Sequence, residues 1–258
     1  SPPAPRGAGL CHALAEVKAT LSNKAFLWLV SAALFGLINQ GMTFALSNYQ
    51  LAFLWQLEQM EMLYYALILF STVIIAFIIV PPISARLGKK NGAILFACVS
   101  LIFTAILYGS WLLGLVPGAP SNPSILFMFV LITIANSAGV SMMMLVSSMM
   151  ADVVEASQQE TGRRSEGLFF AGYFFMQKCA VGIGTFAAGM ILSFAQFPQN
   201  AKPGQVDAAV LDGLALYYMG VVAVLGITGV LILRHFPISR ESHNERLRAL
   251  NTSAESAS

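Results

Sequence analysis

Charge is nearly absent from long stretches of this chain, and the places where it returns divide the sequence. No Asp, Glu, Lys or Arg occurs from Ala25 to Leu57, from Met62 to Ala85, or across the 61 residues from Asn91 to Ala151. A fourth run extends from Gly167 to about Phe197 with one interruption, Lys178, and a fifth from Leu214 to Leu233. A helix needs about 20 apolar residues to cross the hydrocarbon of a bilayer. The 61-residue run has room for two such helices. Its break is the stretch Leu115-Val116-Pro117-Gly118-Ala119-Pro120-Ser121-Asn122-Pro123, which cannot continue a helix. The runs show no apolar/polar alternation of the kind a membrane barrel requires. The expected fold is an all-α membrane protein with six transmembrane helices.

Composition agrees. The chain is 57% hydrophobic and 10% charged, with a mean hydropathy of +0.73. Soluble domains carry about 25% charged residues, so the lipid bilayer is the expected partner. A net charge of +2 gives no reason to expect nucleic acid. The expected organisation is a cytoplasmic linker over 1–24, a six-helix bundle over 25–236 and a cytoplasmic tail over 237–258. Within the linker, Leu10, Leu14, Val17 and Leu21 recur at helical spacing. A surface helix and a frayed linker both fit that segment. The opening Ser1-Pro2-Pro3-Ala4-Pro5 reads as linker and suggests part of a longer protein.

The basic residues set the orientation. Arg6, Lys18, Lys24, Arg86, Lys89, Lys90, Arg163, Arg164, Arg234, Arg240, Arg246 and Arg248 fall on one side of the expected bundle, and Lys202 on the other. Cytoplasmic loops carry the Lys/Arg excess. Both termini are therefore expected in the cytoplasm, with the bundle in an inner or plasma membrane.

Enzyme chemistry finds no support. His12, His235 and His243 lie outside the apolar runs without metal-ligand spacing. Cys11, Cys98 and Cys179 form no CxxC pair, and no phosphate-binding glycine loop occurs. No metal or other cofactor is expected.

Polar residues inside the runs are more informative. Lys178 sits about midway along its run, where a lysine costs about 2.5–3.5 kcal/mol. It pairs with a polar group for packing, or it faces a water-filled cavity. Asn39, Gln40 and Tyr49 in the first run and Asn136 in the second half of the 61-residue run supply amide and hydroxyl groups suited to sugars. Interhelical hydrogen bonding is the alternative reading. Tyr49, Trp55 and Tyr173 are candidate stacking groups, and aromatic belts at the interface are their alternative. Ala180, Gly184 and Ala188 form a small-residue face for packing or for a moving gate. Met142, Met143, Met144, Met149 and Met150 are expected to pack.

The segment after the 61-residue run holds Asp152, Glu155, Glu160 and Glu166 with Arg163 and Arg164. It reads as an inter-helix salt-bridge network or as a solvated loop. Here the sequence resembles the glycoside–pentoside–hexuronide:cation symporters, the melibiose-permease-like branch of the major facilitator superfamily. Ala151, Asp152, Thr161, Gly162, Arg164, Glu166, Gly167, Phe170 and Lys178 match that family's pattern. Glu155 replaces an Asp, and Gln158 stands where the family has Glu. Arg86-Leu87-Gly88-Lys89 resembles the superfamily's cytoplasmic turn between paired helices. The resemblance covers the whole chain and places it as helices seven to twelve of a twelve-helix bundle.

The resemblance implies cation-coupled symport of a sugar or related polar solute by alternating access. The solute would lie between this half and an N-terminal six-helix half, which would carry most of the Na+ or H+ site. It implies a cavity wall at Lys178 and a cytoplasmic gate at Asp152, Glu155, Thr161, Gly162, Arg164, Glu166 and Arg86. A carrier of lysolipids or organic anions on the same scaffold, and a non-transporting six-helix subunit, are the alternatives.

Overall fold

The computed structural model describes residues 24–116, 122–161 and 166–236. The segments 1–23 and 237–258 lie outside them, with the expected surface helix and tail. So do Gly162, Arg163 and Arg164, and the side chains of Thr161 and Glu166.

Among the described residues the chain forms helices only. They are α1 (Lys24–Tyr49), continued by a π-helical turn over Gln50–Leu54, then α2 (Gln59–Leu112), α3 (Asn122–Thr161), α4 (Glu166–Phe194) and α5 (Ala208–Arg234). All five are long and apolar enough to cross a membrane. That is one fewer than the six expected, and the difference lies in α2. As one straight helix its 54 residues would extend about 81 Å, against a hydrocarbon core of about 30 Å.

The helix is not straight. Gly88 has φ 79° and ψ 162°, a non-helical conformation that side chains with a Cβ avoid. Pro81 and Pro82, just ahead of it, withhold two backbone donors. Tyr65 in the first arm and Tyr108 in the second line the same cavity. A straight helix would set them about 65 Å apart. The chain therefore turns back at Gly88, and α2 is a hairpin of two arms.

The local start signals are visible. Glu58 and Glu61 form a capping box at α2, with the Glu58 N–H donating to Glu61 Oε2 at 2.8 Å. Asp207 caps α5 by accepting from the Ala209 N–H at 3.0 Å. One expectation needs correction. Asp152 and Glu155 stand on a helix, because α3 continues past Ala151 to Thr161. The segment 150–161 contains neither Gly nor Pro, so nothing ends the helix when the apolar run ends.

Two apolar clusters make the core. One gathers Phe26, Met149, Met150, Val153, Phe169 and Phe236 at the end of the bundle that carries the Gly88 bend. The other gathers Leu54, Trp55, Tyr108, Met128, Leu214 and Tyr218 toward the opposite end. Between them α1 crosses α4 at close range. A methyl group on Gly41 would lie 2.7 Å from the Val181 carbonyl oxygen, and one on Gly184 would lie 2.7 Å from the Met42 nitrogen. Ala180 and Ala188, one turn to each side of Gly184, are buried. The small-residue face of α4 is thus a packing face against α1. The outer surface is apolar: Phe44, Phe70 and Phe77 are 81%, 77% and 64% exposed. Lipid covers such residues without cost, and water does not.

Candidate functional site

Polar groups concentrate at three depths. At the bend, the Lys89 ammonium donates to both oxygens of Asp152, at 2.6 and 2.7 Å. This ties the α2 hairpin to α3. Lys90 donates to the Phe236 carbonyl oxygen at 2.7 Å, tying the same bend to the end of α5. Burial, reinforced by the nearby Arg234 charge, holds the Lys90 ammonium below the ordinary lysine value. His235 stacks on Trp28 with ring centroids 5.6 Å apart. Both partners of the Lys89–Asp152 pair remain more than a third exposed. An ion pair that water reaches contributes little net stability, so it opens at small cost.

From the sequence, Arg86 and Asp152 are both expected at a cytoplasmic gate. Arg86 is exposed, and Lys89 is the residue that holds Asp152. The Arg86-Leu87-Gly88-Lys89 motif did contain the partner. Lys89 follows the residue where the helix breaks, and the bend turns it toward α3. Glu155 is exposed.

At mid-depth, Lys178 lies near the middle of α4 and is exposed. Phe174 and Phe175, one turn before it, and Gly182, one turn after it, are exposed as well. The Lys178 face is therefore the side of α4 turned away from this bundle's own core. Tyr173 points the other way. It is buried in the cluster of Phe26 and Phe169. Asn39 is half-buried, with its Oδ1 lacking a hydrogen-bond partner, and Gln40 is exposed.

Toward the far end, a neutral network lies inside the bundle. The Tyr108 hydroxyl donates to Gln50 Oε1 at 2.8 Å. Thr43 Oγ1 and the Tyr218 hydroxyl share a hydrogen bond at 3.0 Å. The Tyr108 and Tyr218 rings lie 4.8 Å apart. Asn136 lines the same cavity, of about 50 Å³. Tyr49 lies apart, on a surface group with Phe53 and Phe197.

The six residues expected to share one cavity thus separate. Lys178 and Gln40 are exposed, Asn39 is half-buried, Tyr173 is in the core, Tyr49 is in a surface aromatic group, and only Asn136 reaches the internal cavity. Tyr108 and Tyr218 were not singled out, because hydroxyls in apolar runs look alike until the helices are placed. Among the described residues no three His, Cys, Asp or Glu side chains gather as a metal site. Cys98 and Cys179 are free thiols.

Comparison with known proteins agrees with a membrane carrier. A family model described as MFS/sugar transport protein matches residues 1–240. An uncharacterized symporter from Synechocystis sp. is 25% identical over 237 residues, covering 90% of this chain and 41% of that protein. The chain thus spans about two fifths of the length of the curated relative it matches. With a match over nearly its whole length, on a helical and outwardly apolar framework, the chain belongs to the MFS/sugar transport protein family.

Proposed function

We propose that this chain is one half of a secondary transporter that moves a sugar or related polar solute by alternating access, coupled to Na+ or H+. The narrower branch is that of the glycoside–pentoside–hexuronide:cation symporters. The hairpin form of α2 supports six crossings: α1, the two arms of α2, α3, α4 and α5. The Gly88 bend, with Lys89 and Lys90, then lies in the cytoplasm with both termini, and Lys202 lies on the opposite side.

The observation that carries the proposal is Lys178. A lysine in the middle of a membrane helix, exposed on the face away from its own bundle, cannot be left in hydrocarbon. A second six-helix half packed on this face would give it water, a solute or a carboxylate. Lys178 then lines the solute path between the halves. It donates hydrogen bonds to solute hydroxyls, or it pairs with an acidic group of the partner half, which supplies most of the cation site. The Lys89–Asp152 pair is a cytoplasmic latch that opens and closes as the halves rock, aided by Glu155 and by Thr161, Gly162, Arg164 and Glu166.

The test is uptake of a labelled sugar panel into vesicles carrying the complete transporter, with and without a sodium or proton gradient. Gradient-driven uptake that Lys178→Met abolishes is the expected result. Uptake unchanged in that variant would make Lys178 a packing residue. Uptake of lysolipid or organic anion instead of sugar would overturn the substrate class.

A further inference from the structure

A second pocket lies where α1 and α4 end, at the end of the bundle away from the Gly88 bend. Its volume is about 540 Å³, and Tyr49, Phe53, Ser193, Gln196, Phe197 and Gln199 line it. That size is in the range of small-molecule sites.

Two irregular helix ends build it. After Tyr49 the chain leaves α-helical geometry for the π turn Gln50–Leu54, which carries Phe53. α4 closes in a Schellman motif: the Phe197 N–H donates to the Leu192 carbonyl at 2.9 Å, and the Gln196 N–H to the Ser193 carbonyl at 3.0 Å. The reversal sets the Phe197 ring edge-on to Tyr49 and Phe53, with centroids 5.4 and 4.9 Å apart. The left-handed position of this motif is usually a glycine. Here it is Gln196, at φ 55°. A Cβ is unfavourable in that conformation, so helix closure alone does not account for a glutamine. What the glutamine adds is an amide on the pocket wall. Such strain gathers at functional sites.

The lining sets the chemistry of the occupant. Among the described residues no charged side chain borders the pocket, which suits a neutral solute. Tyr49, Ser193, Gln196 and Gln199 are exposed, and each offers a hydroxyl or an amide that donates and accepts. An acyl chain would leave those groups without partners. A sugar ring matches both parts of the wall, with C–H groups for the aromatic side chains and hydroxyls for the polar ones. The pocket also lies on the right side of the bundle. Gly182, Thr185, Gly189 and Ser193 follow Lys178 along one face of α4, and all are exposed. Ser193 stands about 22 Å from Lys178 along that face.

We propose that this pocket is a docking subsite for one neutral hexose ring at the outer mouth of the solute path, separate from the Lys178 position. The ring packs on Tyr49 and Phe197, and its hydroxyls bond to Ser193, Gln196 and Gln199. The subsite rests on the transport reading for its solute class.

Protection from thiol labelling tests it. The complete transporter, with its native cysteines replaced by serine and Ala201→Cys on the pocket wall, would be treated from the outer side with a membrane-impermeant thiol reagent. D-glucose and D-galactose are the probes. At least one is expected to slow labelling saturably, with a midpoint on the order of 1–10 mM for about twelve non-hydrogen atoms. Mannitol, which has the hydroxyls without the ring, should protect at least about threefold less well. Tyr49→Ala should weaken the midpoint at least about tenfold. Gln196→Gly should weaken it about threefold or more while leaving thermal stability unchanged or higher, because glycine relieves the left-handed strain. Protection should persist in Lys178→Met. Absence of protection by either hexose would overturn the subsite, whether or not sugar is taken up, and uptake measured in parallel decides the transport reading separately. Protection that neither Tyr49→Ala nor Gln196→Gly alters, or that Lys178→Met abolishes, would come from a rearrangement elsewhere and overturn the subsite too.

Discussion

The two ends of this bundle hold themselves together by different means. At the Gly88 bend, charge does the work: Lys89 grips Asp152, and Lys90 reaches the Phe236 carbonyl. At the far end, the interactions inside the bundle are neutral: Tyr108 on Gln50, Thr43 on Tyr218, and the Trp55 ring against Trp111 at 5.4 Å, with the one carboxylate contact, Trp111 Nε1 donating to Asp212 at 3.2 Å, left at the exposed surface among the described residues. The ion pair is partly wet, and the neutral network, with Gln50, Tyr108 and Tyr218 buried, is the drier of the two. Charges out of water cost several kcal/mol each, so they stay where solvent reaches them. Hydroxyls and amides can be buried if they pair. The wet end is therefore cheap to open and the dry end is expensive. An account in which the cytoplasmic side opens as a gate uses the difference in that sense.

Three substitutions measure this contrast by thermal unfolding in detergent. Trp55→Ala, in the dry end, should cost about 3–5 kcal/mol, because it empties a fully buried aromatic position. Gly41→Val, at the crossing that joins the two ends, should cost about 1–3 kcal/mol or more. Its added carbons meet α4 backbone, which cannot swing aside as a side chain could. Lys89→Met, in the wet end, should cost no more than about 1 kcal/mol, shrinking further in high salt. Exchanging the two charges, Lys89→Asp with Asp152→Lys, should recover what the single change loses. A Lys89→Met loss as large as that of Trp55→Ala would show that the bend is a structural clamp and not a latch.

Much of this fold was legible because the bilayer permits so few solutions. The charge-free run Met62 to Ala85 became the first arm of α2, and the Pro/Gly stretch at 115–123 separated α2 from α3. Gly88 was visible as a motif residue, though its conformation was not. The end of α3 was missed because a helix need not stop where the membrane does. Site residues were harder. Asp152 was legible as a charged residue at the end of an apolar run, but its partner lies 63 positions away and is selected by the bend. Tyr173 and Tyr49 are both tyrosines near helix interfaces, yet one faces the core and the other a surface aromatic group. In an apolar helix every face is hydrophobic, so the sequence carries little signal for which side turns inward. Lys178 was the exception, because a charge at that depth stands out against any background.

The central claim is that the exposed face of α4 around Lys178 lines a water-filled solute path, and cysteine accessibility tests it most directly. In the complete transporter, with Cys11, Cys98 and Cys179 replaced by serine, Lys178→Cys would be treated with a membrane-impermeant thiol reagent. Arg86→Cys at the bend would serve as the water-exposed control, and Phe70→Cys, on an exposed apolar position of α2, as the lipid-facing one. The account predicts that position 178 reacts like the bend and unlike position 70, and that the transported sugar slows the reaction. Silence at 178, with Arg86→Cys reactive from the cytoplasmic side, would put that face of α4 against lipid or dry protein and contradict the claim.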